Sequence, residues 1–112
     1  MVKLYNYKAK VTKVIDGDTI DCDIDLGFNV HIFERFRLDG IDTPELTGAD
    51  KEKGKEAKNI VTKELLNKEI AIETDKPLKT DKYGRWVATV YLDGVNYNET
   101  LLERGLAKKY GS

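Results

Sequence analysis

Between Thr19 and Leu26 the chain alternates without interruption, with Ile20, Cys22, Ile24 and Leu26 on one parity and Asp21, Asp23 and Asp25 on the other. A period of two is the mark of a strand with one buried and one solvated face, and an amphipathic helix does not produce it. Tyr5, Tyr7, Ala9 and Val11 alternate with Asn6, Lys8, Lys10 and Thr12 in the same way. Val14 breaks that parity, which predicts a bulge just before a turn at Asp16-Gly17. Gly27-Phe28-Asn29 predicts a hairpin connection, followed by a third strand from about Val30 to Leu38. The first 38 residues therefore read as a three-stranded meander.

The second half changes period. After a loop from Glu45 to Asp50, Ala57, Ile60, Val61 and Leu65 lie at helical spacing in a lysine- and glutamate-rich segment, with Asn67 as its stop. Ile70 and Ile72 mark a fourth strand bounded by Lys76-Pro77, and Trp86, Ala88, Val90 and Leu92 a fifth closed by Asp93-Gly94. Asn96-x-x-Glu99 fits a capping box for a short helix that ends at Gly105, leaving 105–112 as a C-terminal tail. Five short strands with a helix between the third and fourth is the order of an OB-fold. The expected architecture is thus mainly β, a five-stranded Greek-key barrel flanked by two α-helices, in one domain spanning 1–112.

Composition removes several function classes. A single cysteine, Cys22, cannot form an internal disulfide, and its strand neighbours make it a core residue. One histidine and one cysteine cannot assemble the usual zinc ligand sets. No apolar stretch approaches the ~18 residues of a membrane span. The N-terminus lacks the apolar core of a signal peptide, so the expectation is an intracellular protein or a mature secreted form. Nucleotide-binding glycine loops and the Gly-x-Ser-x-Gly elbow are missing. Asp21-x-Asp23-x-Asp25 imitates a calcium loop, yet the positions that require glycine and glutamate hold Leu26 and Ile32. Strand alternation accounts for those acids better. His31 reads as a surface strand residue, so acid–base chemistry falls mainly to carboxylates.

The chemistry concentrates elsewhere. Arg37-Leu38-Asp39-Gly40-Ile41-Asp42-Thr43-Pro44-Glu45 places a guanidinium and several carboxylates within nine residues, around a turn that Pro44 stiffens. Asp16-Gly17-Asp18-Thr19 lies upstream and Asp81-Lys82-Tyr83-Gly84-Arg85 downstream. Asp18 shares parity with Ile20 and Cys22, so its carboxylate is expected to point inward at the barrel mouth. Two carboxylates and a backbone carbonyl suit a hard cation such as Ca²⁺ or Mg²⁺, and arginine forks match phosphate oxygens. Glu45 is near enough in sequence to accept a proton from a water in that site. These parts suit hydrolysis of a phosphodiester. The net charge of −1 gives no electrostatic pointer to nucleic acid, and any affinity should depend strongly on salt.

Four segments carry a specific resemblance: Val14-Ile15-Asp16-Gly17-Asp18-Thr19, the run from Arg37 to Glu45, Thr80-Asp81-Lys82-Tyr83-Gly84-Arg85, and Asn98-Glu99 with Arg104-Gly105-Leu106-Ala107. In order and spacing the chain resembles the staphylococcal-nuclease (thermonuclease) family over nearly its whole length. It reads as a short member lacking the third helix of the longer secreted ones. The resemblance implies an OB-fold barrel and Ca²⁺-dependent hydrolysis of DNA and RNA that leaves a 3′-phosphate. By position, Asp18, Asp42 and the Thr43 carbonyl correspond to metal ligands, and Asp16 to an acid supporting the metal loop. Arg37 and Arg85 correspond to phosphate-binding arginines, and Glu45 to the residue that orients or deprotonates the attacking water. Lys82 and Tyr83 are expected beside the bound nucleotide. The expected partner is nucleic acid, with no membrane, and the expected state is a monomer.

Two other readings stay open at the level of sequence. One is a non-catalytic OB module that binds nucleic acid or protein, and the other a small calcium-binding structural domain. A degenerate module would be expected to have lost Asp42, Glu45 or an arginine, and all are present.

Overall fold

A computed structural model describes residues 5–74 and 85–109. In chain order the elements are β1 (Asn6–Asp16), β2 (Thr19–Asp25), β3 (His31–Leu38), β4 (Ile41–Asp42), α1 (Lys51–Leu65), β5 (Glu69–Glu73), β6 (Trp86–Leu92), β7 (Val95–Asn96), α2 (Tyr97–Glu103) and β8 (Lys108–Lys109). A short 3₁₀ turn at Gly48–Asp50 leads into α1.

β1 is the spine. It pairs antiparallel with β2 on one side and β5 on the other, β2 pairs with β3, and β5 with β6. A parallel pairing of β3 with β6, through Phe36–Trp86, Arg37–Val87 and Leu38–Ala88, closes the barrel. This is the five-stranded OB-fold expected from the sequence, with two helices against it. The register of β1 on β2 slips between Val11 and Lys13 and again between Val14 and Asp16. Those irregularities carry the parity break at Val14 and turn the Asp16–Thr19 corner toward the barrel mouth.

The interior is built from the inward parity of each strand. Val11, Ile20, Cys22, Ile72 and Val90 are fully buried with Val61 and Leu65 of α1 and Leu101 of α2. Burial pushes the Cys22 thiol up to about 12, with Asp21 and Asp23 adding to the shift, so it stays a neutral core group. The inward face of α1 is Gly54, Ala57, Val61 and Leu65, while Ile60 lies at its half-buried margin. The helix stops where Asn67 takes a left-handed conformation (φ 63°). At α2 the Asn96 side chain accepts a hydrogen bond from the Glu99 N–H, as the capping motif requires.

Three expectations need correction. Leu26 shares the core parity of β2 but lies one residue beyond the strand, and it is exposed. Tyr5 precedes β1 with a positive φ of 49° instead of continuing the strand. The segment read as a tail contains a strand, because Lys108 and Lys109 of β8 pair with Asp42 and Ile41 of β4. The acids of β2 behave as a strand face: Arg35 holds Asp21 and His31 holds Asp23, the latter across 2.8 Å. No helix among the described residues is long and apolar enough to cross a membrane.

Candidate active site

The barrel mouth opens into a cleft of about 600 Å³ whose walls include Asp16, Asp18, Arg37, Asp42, Thr43, Glu45 and Arg85. Three separate parts of the chain supply them. The β1–β2 corner brings Asp16 and Asp18, the end of β3 with the following turn brings Arg37 through Glu45, and the entry to β6 brings Arg85. Lys82 and Tyr83 lie outside the described residues.

Asp18 is the buried centre of this arrangement. One of its oxygens accepts from the Thr19 hydroxyl at 3.1 Å and the other from the Thr43 backbone N–H at 3.0 Å. Arg37 places Nη2 3.8 Å from Asp18 Oδ2 and 3.4 Å from Asp42 Oδ1, and donates from it to the Ile41 carbonyl at 3.0 Å. A single guanidinium nitrogen thus spans the two carboxylates and ties the β4 turn to the barrel. Arg85 donates to the Thr19 hydroxyl at 3.2 Å, and Thr19 in turn donates to Asp18. The arginines are held over the cleft by a connected network, which pre-aims their forks.

Burial opposes the charge of Asp18, but the hydrogen bond with Asp16, the Thr43 N–H and Arg37 together hold its carboxyl below the usual range. Asp16 goes the other way. Burial first, then the neighbouring Asp18, push its carboxyl up to about 7. Its Oδ1 accepts from the Asp18 N–H at 3.1 Å, which fixes the corner that presents Asp18.

Two glycines set the turn between Asp42 and Glu45. A Cβ on Gly17 would stand 2.8 Å from Thr43 Cγ2, and one on Gly54 would stand 2.1 Å from the Glu45 carbonyl oxygen and 2.9 Å from that of Pro44. The turn is therefore seated against bare backbone from both sides. Sequence reasoning missed Gly54, although a glycine inside a helix costs about 1 kcal/mol relative to alanine and so points to a packing reason. It also assigned no part to Asn98. That buried side chain accepts from the Val90 N–H at 3.0 Å and donates to the carbonyls of Asp39 at 2.9 Å and Ala88 at 3.3 Å. Asn98 thereby pins the Arg37–Asp42 loop to β6.

The donor set around Asp18 and Asp42 consists of oxygen, which fits a hard cation and not a soft one. Among the described residues no three of histidine, cysteine, aspartate or glutamate converge on one point.

The fold and site thus define an OB-barrel domain with carboxylates and arginines gathered at its mouth, and comparison with known proteins makes the class specific. Residues 35–112 match the family described as staphylococcal nuclease homologue, and the chain belongs to that family. It is 43% identical over 101 residues to a thermonuclease of Staphylococcus intermedius, covering 88% of this chain and 56% of that protein. An uncharacterized protein of Methanocaldococcus jannaschii is 35% identical over 129 residues, covering 94% of this chain and 60% of that protein. A prophage-derived endonuclease of Bacillus subtilis is 36% identical over 97 residues, which is 86% of this chain and 32% of that protein. The chain thus spans well under two thirds of the length of these relatives.

Proposed function

We propose that this domain is a nuclease that hydrolyses phosphodiester bonds of DNA and RNA with the help of a divalent cation, in the first instance Ca²⁺. The observation that carries the reading is convergence: side chains at 18, 37, 42, 45 and 85, distant in sequence, line one cleft. The names of the Staphylococcus intermedius and Bacillus subtilis relatives, a thermonuclease and an endonuclease, point the same way.

In this reading Asp18, Asp42 and the Thr43 carbonyl hold the cation, and Asp16 steadies the corner that presents Asp18. When bound, such a cation supplies positive charge and Lewis acidity beside the phosphate. Arg37 and Arg85 bind the phosphate oxygens and neutralise the charge that grows there as water attacks in line. Glu45, exposed at the cleft rim, takes a proton from that water. The new P–O bond forms as P–O5′ breaks, the O5′ is protonated from solvent, and the phosphate stays on the 3′ side. Arg85 serves as an electrostatic anchor, since guanidinium gives up its proton too reluctantly to be the acid. All five groups come from one chain, which suits action as a monomer.

The test is cleavage of plasmid DNA and single-stranded RNA by the purified protein with Ca²⁺, with Mg²⁺ and with chelator, alongside Glu45→Gln. Activity should require the cation, and Glu45→Gln should lower turnover by ~10²-fold or more. Chelator-resistant cleavage would reject the cation's part, and a fully active Glu45→Gln would reject the base. Binding without cleavage in every condition would make the domain a non-catalytic module.

A further inference from the structure

The outer face of β3 does not end at the cleft. On the parity opposite to Phe36 and Leu38 the strand presents His31, Phe33, Arg35 and Arg37 in succession. Arg35 lines the cleft, and with Arg85 it also lines an adjoining hollow of about 550 Å³ that includes Phe33, Asp21 and Thr12. The two depressions therefore meet across Arg35 and Arg85. Phe33 is 70% exposed beside Arg35, with Asp21 and Thr12 on the same hollow. A large apolar ring kept in water beside arginines asks for an explanation that scattered surface hydrophobes do not.

We propose that this stripe is a track for single-stranded nucleic acid leaving the cleft, with Arg35 taking the next phosphate and Phe33 stacking a base beyond it. The proposal rests on reading the cleft as a nucleic-acid site. Same-face residues two apart on a strand are separated by ~6.6 Å, so Arg37, Arg35 and Phe33 span about 13 Å. That step is comparable with the distance between successive phosphates of an extended single strand. Alternation of arginine and an aromatic ring along a groove is the composition that holds such strands, the cation tracking the backbone and the ring accepting any base.

The local acids are arranged to permit this. Arg35 donates from Nε and Nη2 to the carboxylate of Asp21 at 2.7 and 3.2 Å, which fixes the guanidinium and offsets the acid. Two of its five N–H groups are used there, leaving three to offer a phosphate. Asp23 is engaged by His31. Both acids belong to β2, on one side of β3. On the other side β6 pairs with β3 at Phe36 to Leu38.

The test measures binding of fluorescently labelled oligothymidylates, a dinucleotide and a dodecamer, by anisotropy in Ca²⁺ within minutes of mixing, using Glu45→Gln protein to slow turnover. Phe33→Ala should weaken the dodecamer about 10-fold, within the range for loss of one stacked base. Arg35→Gln should weaken it similarly and lower the salt slope by about one contact. In both variants the advantage of the dodecamer over the dinucleotide should shrink. Val95→Ala, exposed on β7 beside the end of β6 that does not pair with β3, is the control and should bind as the parent does. Unchanged dodecamer binding in both Phe33→Ala and Arg35→Gln would overturn the track, as would an equal loss on both lengths, which would mean a distorted cleft. The two readings separate cleanly. A parent that cleaves while both variants bind normally keeps the nuclease and loses the track. A parent that never cleaves but loses binding through Phe33 keeps the track and loses the nuclease.

Discussion

Replacing Gly54 with alanine should impair catalysis more than it impairs folding. In an exposed helix interior that exchange normally stabilises by about 1 kcal/mol. Here the added Cβ would lie 2.1 Å from the Glu45 carbonyl oxygen and 2.6 Å from its carbon, where real contacts essentially never fall below 3.0 Å. Relief requires the helix and the turn to separate by about 1 Å. The obstacle is backbone and cannot rotate away. Overpacking of this kind costs roughly 1–3 kcal/mol, partly offset by the helix gain, so the fold should survive with a net loss of about 1 kcal/mol. Glu45, however, rides on the part that moves, and a 1 Å misplacement of a reacting group is worth ~10² in rate.

The assay is steady-state cleavage together with urea unfolding, on the parent, Gly54→Ala, Glu45→Gln and the double variant. The expected result is a ~10²-fold loss of kcat in Gly54→Ala with the unfolding midpoint only slightly lowered. If the glycine acts through Glu45, the double variant should be little worse than Glu45→Gln alone, because residues in one unit do not add. Losses that multiply in the double variant, or a Gly54→Ala enzyme within a few-fold of the parent, would refute this account of the turn.

Two other predictions concern the scaffold. Asn98→Leu removes the side-chain partner of the Val90 N–H and the Asp39 carbonyl in a buried position, while the Ala88 carbonyl keeps the Asp39 N–H, so it should destabilise by about 3 kcal/mol in urea unfolding; an unchanged midpoint would deny Asn98 its role as a pin. Glu64 accepts from the Tyr97 hydroxyl at 2.6 Å and from Arg104 at 2.8 Å, and these partners, against opposing burial, hold its carboxyl below its ordinary 4.5. A depressed folded value means the stabilisation is present above the ordinary value and fades as pH falls through the lowered one. Glu64→Gln should therefore cost about 1 kcal/mol at neutral pH, allowing for its partial exposure, and the gap from the parent should narrow as pH falls below the ordinary carboxylate range. A gap independent of pH would contradict the linkage.

The barrel was legible because period and punctuation agree. Alternation marked β1, β2 and β6, the parity break at Val14 marked the slipped register, and Asn67, Asn96 and Gly105 marked helix ends. What escaped the sequence depends on neighbours from elsewhere in the chain. Lys108 and Lys109 carry no apolar signal, and their strand exists through backbone pairing with β4. The reason for Gly54 lies in carbonyls of residues 44 and 45, and that for Asn98 in carbonyls of 39 and 88. Local propensity cannot express either. The acids and arginines of the cleft were readable as an ensemble because their residue types suit one chemistry, whereas the groups that aim them are ordinary structural residues.

Charge at the cleft ties these strands of argument together. Among the described residues its walls carry five carboxyl groups, at Asp16, Asp18, Asp39, Asp42 and Glu45, and three guanidiniums, at Arg35, Arg37 and Arg85, with the Asp16 carboxyl pushed up to about 7. The chain as a whole is also slightly acidic, with a net charge of −1. A polyanion approaching such a surface gains little from the field of these groups, and on the proposed reading its affinity would come from forks at fixed positions and from a cation seated among the acids. Cation and phosphate should then strengthen each other's binding by the same factor, since coupling between two sites is reciprocal. On this view the acids are not an obstacle to holding nucleic acid. On the reading proposed above, a divalent ion bound among them would couple its own binding to that of phosphate, and Arg37 and Arg35 would supply the orientation that an ion alone lacks.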